Sequence, residues 1–105
     1  MVRQYDVYWV DLSPTIGAEM QKVRPCVVVS PNELNLHLDT VIIVPVTSAL
    51  HGYPYRVLCH ILERDGEMAT DQIRTIDRRR LRSRISTLGL DERAALQSAL
   101  FQMFC

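Results

Sequence analysis

Pro25-Cys-Val-Val-Val-Ser30 and Thr40-Val-Ile-Ile-Val-Pro-Val46 decide how the rest of the chain is read. Each run is short, almost continuously apolar and rich in β-branched residues, which pack well on a pleated surface and are stiff in a helix. Neither is long enough for a helix and neither alternates, so both read as strands buried on two faces. Pro45 has no amide to donate, which places it at an edge, a bulge or the end of its strand. Upstream, Asp6-Val-Tyr-Trp-Val-Asp-Leu12 reads as a first strand. Downstream, residues 55–62 alternate: Tyr55, Val57, Cys59 and Ile61 share one face, with Arg56 and His60 on the other.

Breakers and caps join these strands. Pro14 and Gly17 mark residues 13–23 as a loop. Ser30 as N-cap with Pro31 at the first helical position predicts a short helix. Residues 47–54 form a polar loop with Gly52 and Pro54, and Glu63-Arg-Asp-Gly66 forms a turn. A further strand is predicted over 68–74, and a short basic helix over 78–82, capped by Asp77. Another short strand follows at 85–88. After Gly89, Asp91 caps a final helix in which Ala95, Leu96, Ala99, Leu100, Met103 and Phe104 make one apolar stripe. The sum is a small, mostly antiparallel barrel or sheet with a C-terminal helix packed on it.

The chain has 105 residues, which predicts one domain over 1–105. Apolar residues make up 48% and charged residues 23%, a globular rather than a disordered composition. Cys26, Cys59 and Cys105 are odd in number and no CxxC occurs, so no disulfide framework or zinc knuckle is indicated and reduced thiols are expected. No signal-peptide core opens the sequence, and the run 41–46 is far short of the ~20 residues of a membrane helix. A soluble, cytoplasmic protein without membrane contact is the expectation.

Twelve basic side chains balance twelve acidic ones, so total charge points to no partner. The distribution is uneven. Lys22 is the only lysine, and six arginines fall between Arg74 and Arg84 against one acid, Asp77. Such a cluster can grip phosphates on a neutral protein, although a solvated helix face is the commoner meaning of a charge run. The polar residues at strand ends carry more chemistry: Arg24 before a buried strand, Thr47 and Ser48 after the next, Asp71 and Gln72 beyond the turn. A cation, a hydroxyl, a carboxylate and an amide at one cleft suit RNA transesterification. That reaction needs a base for the 2′-hydroxyl proton, a cation for the phosphorane and an acid for the leaving 5′-oxygen. The structural alternative is a turn at Thr47 and Ser48 and a pairing of Arg24 with Glu19. His37, His51 and His60 are scattered and read as surface or satisfied residues. Trp9 reads as core, while Tyr53 and Tyr55 are the better base-stacking candidates.

These segments, taken in order, resemble the MazF/PemK family of toxin endoribonucleases. The resemblance lies in Asp6-Val-Tyr-Trp-Val-Asp-Leu-Ser-Pro-Thr-Ile-Gly-Ala-Glu19, Arg24-Pro-Cys-Val-Val-Val-Ser-Pro-Asn32, Val44-Pro-Val-Thr-Ser48, Gly52-Tyr-Pro-Tyr55, Glu63-Arg-Asp-Gly66 and Asp71-Gln-Ile-Arg-Thr-Ile-Asp77. It implies an α+β, mainly β fold: a small SH3-like antiparallel β-barrel of the CcdB/Kid/MazF-like kind, with a C-terminal helix. It also implies a homodimer that cleaves single-stranded RNA, usually mRNA, at short motifs without metal or cofactor. The implied partner is a cognate acidic, MazE-like antitoxin.

By the same resemblance Arg24 is the catalytic arginine that stabilises the phosphorane, and Thr47 the catalytic threonine that orients the scissile phosphate. Glu19 and Asp71 match the two carboxylates tied to activity, with the base left open between them. Ser48 and Gln72 match RNA-contacting groove residues. Tyr53, by stacking, and Arg78, within the basic run, complete the RNA-binding set. Some members carry an arginine acid two places before the carboxylate; Ala69 stands there in this chain, and the acid role passes to Arg24 or to no residue. Two other functions compete. A CcdB-like DNA gyrase poison shares the fold without needing a catalytic cleft, and a catalytically inactive module binds RNA or antitoxin only.

Overall fold

The two deciding runs form the middle of a sheet in a computed structural model that describes residues 1–105. Strands β1 (Asp6–Asp11), β2 (Val23–Val28) and β3 (Thr40–Thr47) are joined by β4 (Val57–Ile61), β5 (Arg64–Met68), β6 (Arg74–Asp77) and β7 (Leu81–Thr87). Helix α1 (Asn32–His37) links β2 to β3, and α2 (Leu90–Phe104) ends the chain. Every pairing is antiparallel, in the order β4-β5-β3-β2-β1-β7, with β6 also on β3. The sheet curls into a half-barrel.

Neighbouring residues of β2 and β3 enter different cores, which explains their unbroken apolar runs. Val27 and Val44 pack with Met68, Cys59 and Leu96 of α2. Val28 and Ile43 pack on the other face with Val10, Val41 and Ile76. The sheet is thus buried on both sides. Pro45 lies opposite Cys26 on one side. On its other side β3 exchanges β6, paired as far as Ile43, for β5, paired from Val46. The Pro45 carbonyl accepts from the Ala69 N–H there, so the missing amide falls at a break in the ladder.

Several local expectations are corrected. Pro31, not Ser30, caps α1; the Ser30 hydroxyl bonds the Asn35 side chain instead. The turn after β4 is Leu62–Glu63, and Gly66 lies inside β5. The strand expected over 68–74 is broken by a 3₁₀ turn at Thr70–Gln72, next to the ladder break at Pro45. Asp77 does cap a turn, accepting from the Arg79 N–H, but that turn is only Arg78–Arg80 because pairing with β1 draws the chain into β7. In α2, Gly89 is the N-cap, and Glu92 accepts from its N–H. The helix buries Leu96 and Ala99 and half-buries Leu100 and Met103. Ala95 and Phe104 are exposed, each about a quarter-turn off that line.

Candidate functional site

The ends of β2 and β3 open onto a groove of about 460 Å³ lined by Arg24, Thr47 and Ser48. Trp9 of β1, Gln21 and Lys22 beside β2, and Arg64 and Asp65 of β5 complete its polar and aromatic wall. Arg24 is half-buried; its Nε donates to Gln21 O at 3.1 Å and no carboxylate pairs with it. Thr47 is buried, with Oγ1 accepting from the Ala49 N–H at 3.1 Å. Ser48 is exposed. Three cations face one carboxylate, and that carboxylate, Asp65, already holds His60 at 2.9 Å. The groove therefore favours an anion, with an uncompensated guanidinium beside a hydroxyl.

Glu19, Asp71 and Gln72 lie outside this lining. Glu19 is exposed on the 12–22 loop, where its Oε1 accepts from the Ile16 N–H at 2.7 Å. It does not pair with Arg24. Gln72 reaches the same loop, its Oε1 accepting from the Met20 N–H at 3.3 Å. Asp71 is gripped by both arms of Arg56, with Nε to Oδ1 at 2.9 Å and Nη2 to Oδ2 at 3.1 Å. These bonds hold the Asp71 carboxyl below the ordinary range, against the opposing effect of burial. Arg56 also reaches Glu67, at 3.4 Å. Glu67 is 1% exposed. Burial alone would raise its pKa, but the Gly52 and His51 amides and Arg56 outweigh that and hold it low.

The arginine-rich stretch is hydrogen-bonded or ion-paired within the fold, three of its six arginines to carbonyls and three to carboxylates. Arg74 donates to Leu12 O, Arg80 to Asp11 O and Ser13 O, and Arg79 pairs with Asp77. Arg82 and Arg84 meet Asp11 and Asp6. Arg78, placed in the RNA-binding set by the sequence, donates to Asn35 O and Leu38 O at the end of α1, away from the groove. Tyr53 is exposed but already partnered, by the His51 ring at 4.8 Å and the Arg56 guanidinium at 4.9 Å. Trp9 is half-buried in the groove wall, not core.

Sequence reasoning missed Lys22 and Arg64 as the groove's other cations, and it missed the Arg56–Glu67 pair. Proximity to the strand ends at Arg24 and to the hairpin was the available signal for the first two. The alternation over 55–62 showed only that Arg56 leaves the apolar face.

A curled antiparallel half-barrel with a C-terminal helix and a cation-rich groove at its strand ends defines a small β-barrel protein with an anion-favouring site. The family described as PemK-like, MazF-like toxin of type II toxin-antitoxin system matches residues 3–104. The chain belongs to that family. Over 71 residues it is 41% identical to the endoribonuclease toxin MazF of Escherichia coli K12, a match that covers 68% of this chain and 64% of that protein's length. The crystal structure of MazF (Form-I) from Deinococcus radiodurans superposes with a TM-score of 0.85 at 25% identity, covering 98% of this chain and 96% of that one. A mycobacterial endoribonuclease solved with its cognate antitoxin shares the fold, with a TM-score of 0.82 at 20% identity, covering 99% and 95%.

Proposed function

We propose that the chain is the toxin of a type II toxin–antitoxin pair and a metal-independent endoribonuclease acting on single-stranded RNA or mRNA. The observation that carries this reading is the unpaired Arg24 guanidinium in one groove with the Thr47 and Ser48 hydroxyls. In the reaction a carboxylate removes the 2′-hydroxyl proton and the 2′-oxygen attacks phosphorus. Arg24 stabilises the phosphorane, Thr47 orients the phosphate, and the 5′-oxygen leaves with a proton supplied by Arg24 or by water. The products are a 2′,3′-cyclic phosphate and a 5′-hydroxyl end. The base is Glu19 or Asp71: both carboxylates lie outside the lining, Glu19 accepting from the Ile16 N–H and Asp71 held by Arg56.

The groove's excess cations suit RNA and an acidic antitoxin segment alike, and its open form admits an extended chain. Phe101 and Phe104 on α2 are exposed apolar surface of the kind a homodimer covers. No helix is long and apolar enough to cross a membrane. The reading places the toxin in the cytoplasm because its RNA substrate is there.

The test is incubation with a long single-stranded RNA in EDTA, with fragment ends mapped. Discrete fragments with 5′-hydroxyl ends are expected, and Arg24→Ala loses roughly 10²–10³ in rate while keeping its fold. Intact RNA from folded protein overturns the reading, and a supercoiling assay then asks for gyrase inhibition.

A further inference from the structure

The polar network beside the groove links three segments that the proposed reaction needs in register. Glu67 is the cross-strand partner of Thr47, so their side chains leave the same face of the β3–β5 pair. Buried as it is, Glu67 accepts from the Gly52 N–H at 2.6 Å and meets Arg56 at 3.4 Å. Arg56, whose side chain is 7% exposed, then forks onto Asp71. Gln72, the next residue, holds the Met20 N–H, one residue from Glu19. Thr70, in the same turn, donates to Tyr55 O at 2.8 Å.

Building on the nuclease reading, we infer that Arg56 is a positioning residue: clamped by Glu67, it fixes the Asp71–Gln72 turn and the 51–55 rim against the strand end carrying Thr47, and through Gln72 it sets the loop carrying Glu19. Arg56 is not part of the groove lining, and its side-chain partners are Glu67, Asp71 and the Tyr53 ring. A bidentate guanidinium is suited to this role because it fixes direction as well as distance, which an ammonium does not. The buried Glu67 supplies the second anchor, so the fork cannot swing.

Arg56→Gln alone strands a buried carboxylate, so the informative variant is Arg56→Gln/Glu67→Gln, which removes both charges and leaves Glu67's shape and its bond to Gly52. Its melting temperature and its cleavage of a single-stranded RNA in EDTA are measured beside the native protein, with kcat and KM separated and all cut sites mapped. At a temperature where both are folded, kcat falls by about ten- to a hundredfold, as small misplacements of reacting groups do. Cleavage also spreads to sites the native protein spares. Arg56→Lys, which keeps the charge on Glu67 but loses the fork, recovers part of kcat and none of the site selectivity. A purely stabilising pair lowers the melting temperature and leaves both unchanged; that result overturns the inference. If the double variant does not fold, Arg56→Lys decides, since native kcat and native cut sites there also overturn it. A native protein inert on RNA removes the nuclease reading and this inference with it, whereas an active native protein with an unaffected variant removes only this inference.

Discussion

Gly66 shows how one residue sets the strand end that carries Thr47. It lies inside β5, and a Cβ placed on it would stand 3.0 Å from Thr47 O and 3.1 Å from Val46 Cγ1. The first neighbour is backbone and has no rotamer with which to yield, so β5 must move away from β3. Gly66→Ala is expected to cost about 1–3 kcal/mol, the usual range for overpacking, read by urea denaturation. It is also expected to reduce RNA cleavage more than the lost stability explains, because Thr47 shifts with the strand. A variant with native stability and native cleavage would show that the two strands part freely. The same strand end explains why Thr47 is buried while its neighbour Ser48 is exposed: the ladder with β5 ends at Thr47, paired to Glu67, and the chain then leaves the sheet.

At the scale of elements, the β4–β5 hairpin reverses through Leu62 and Glu63, with φ of 55° and 61°. Two left-handed residues in a two-residue loop match the right-handed twist of the strands, but the conformation favours Asn and Gly. Leu62→Asn with Glu63→Gly is expected to raise stability by about 1 kcal/mol, measured as a higher melting temperature; a lower one would mean that Leu62 packing in the groove wall outweighs the backbone. This hairpin also shows where the sequence misleads. Gly66 looks like a turn glycine, yet it is required by the approach of β3, a tertiary fact with no local signature. The arginines after Asp77 looked helical because the cap is present, but pairing of β7 with β1 overrode a weak local preference. The central strands were legible because burial on both faces leaves an unbroken apolar run. Arg24, Thr47 and Ser48 were legible as candidates because they flank those runs. Arg56 and Glu67 were not, because their pairing depends on strand register, and neither type announces burial.

Over the whole molecule, charge acts through pairs and grooves, since the total is zero. Glu67 and Asp71 both titrate below their ordinary values in the folded chain. Such groups stabilise the fold fully above their unfolded values, about pH 4, and that contribution is lost as pH falls through the folded values. Calorimetry is expected to show a melting temperature that drops below about pH 4, with a shallower drop when Arg56 and Glu67 are both replaced by Gln. An equally steep drop in the variant would assign acid sensitivity to other carboxylates. On the proposed nuclease reading, RNA affinity divides the cations differently. Lys22, Arg24 and Arg64 line the groove, whereas Arg79, the most exposed member of the arginine run, is paired to Asp77 away from it. Each phosphate neutralised on a single strand contributes about 0.7 to the slope of log affinity against log salt. Arg64→Gln should therefore lower that slope by about 0.7, while Arg79→Gln leaves it unchanged. Fluorescence anisotropy with an uncleavable 2′-O-methyl strand, from about 50 to 200 mM salt, reads both. A slope lost in Arg79→Gln and kept in Arg64→Gln would place the RNA on the arginine-rich edge instead of the strand ends, and would count against the phosphate contact proposed for Arg24.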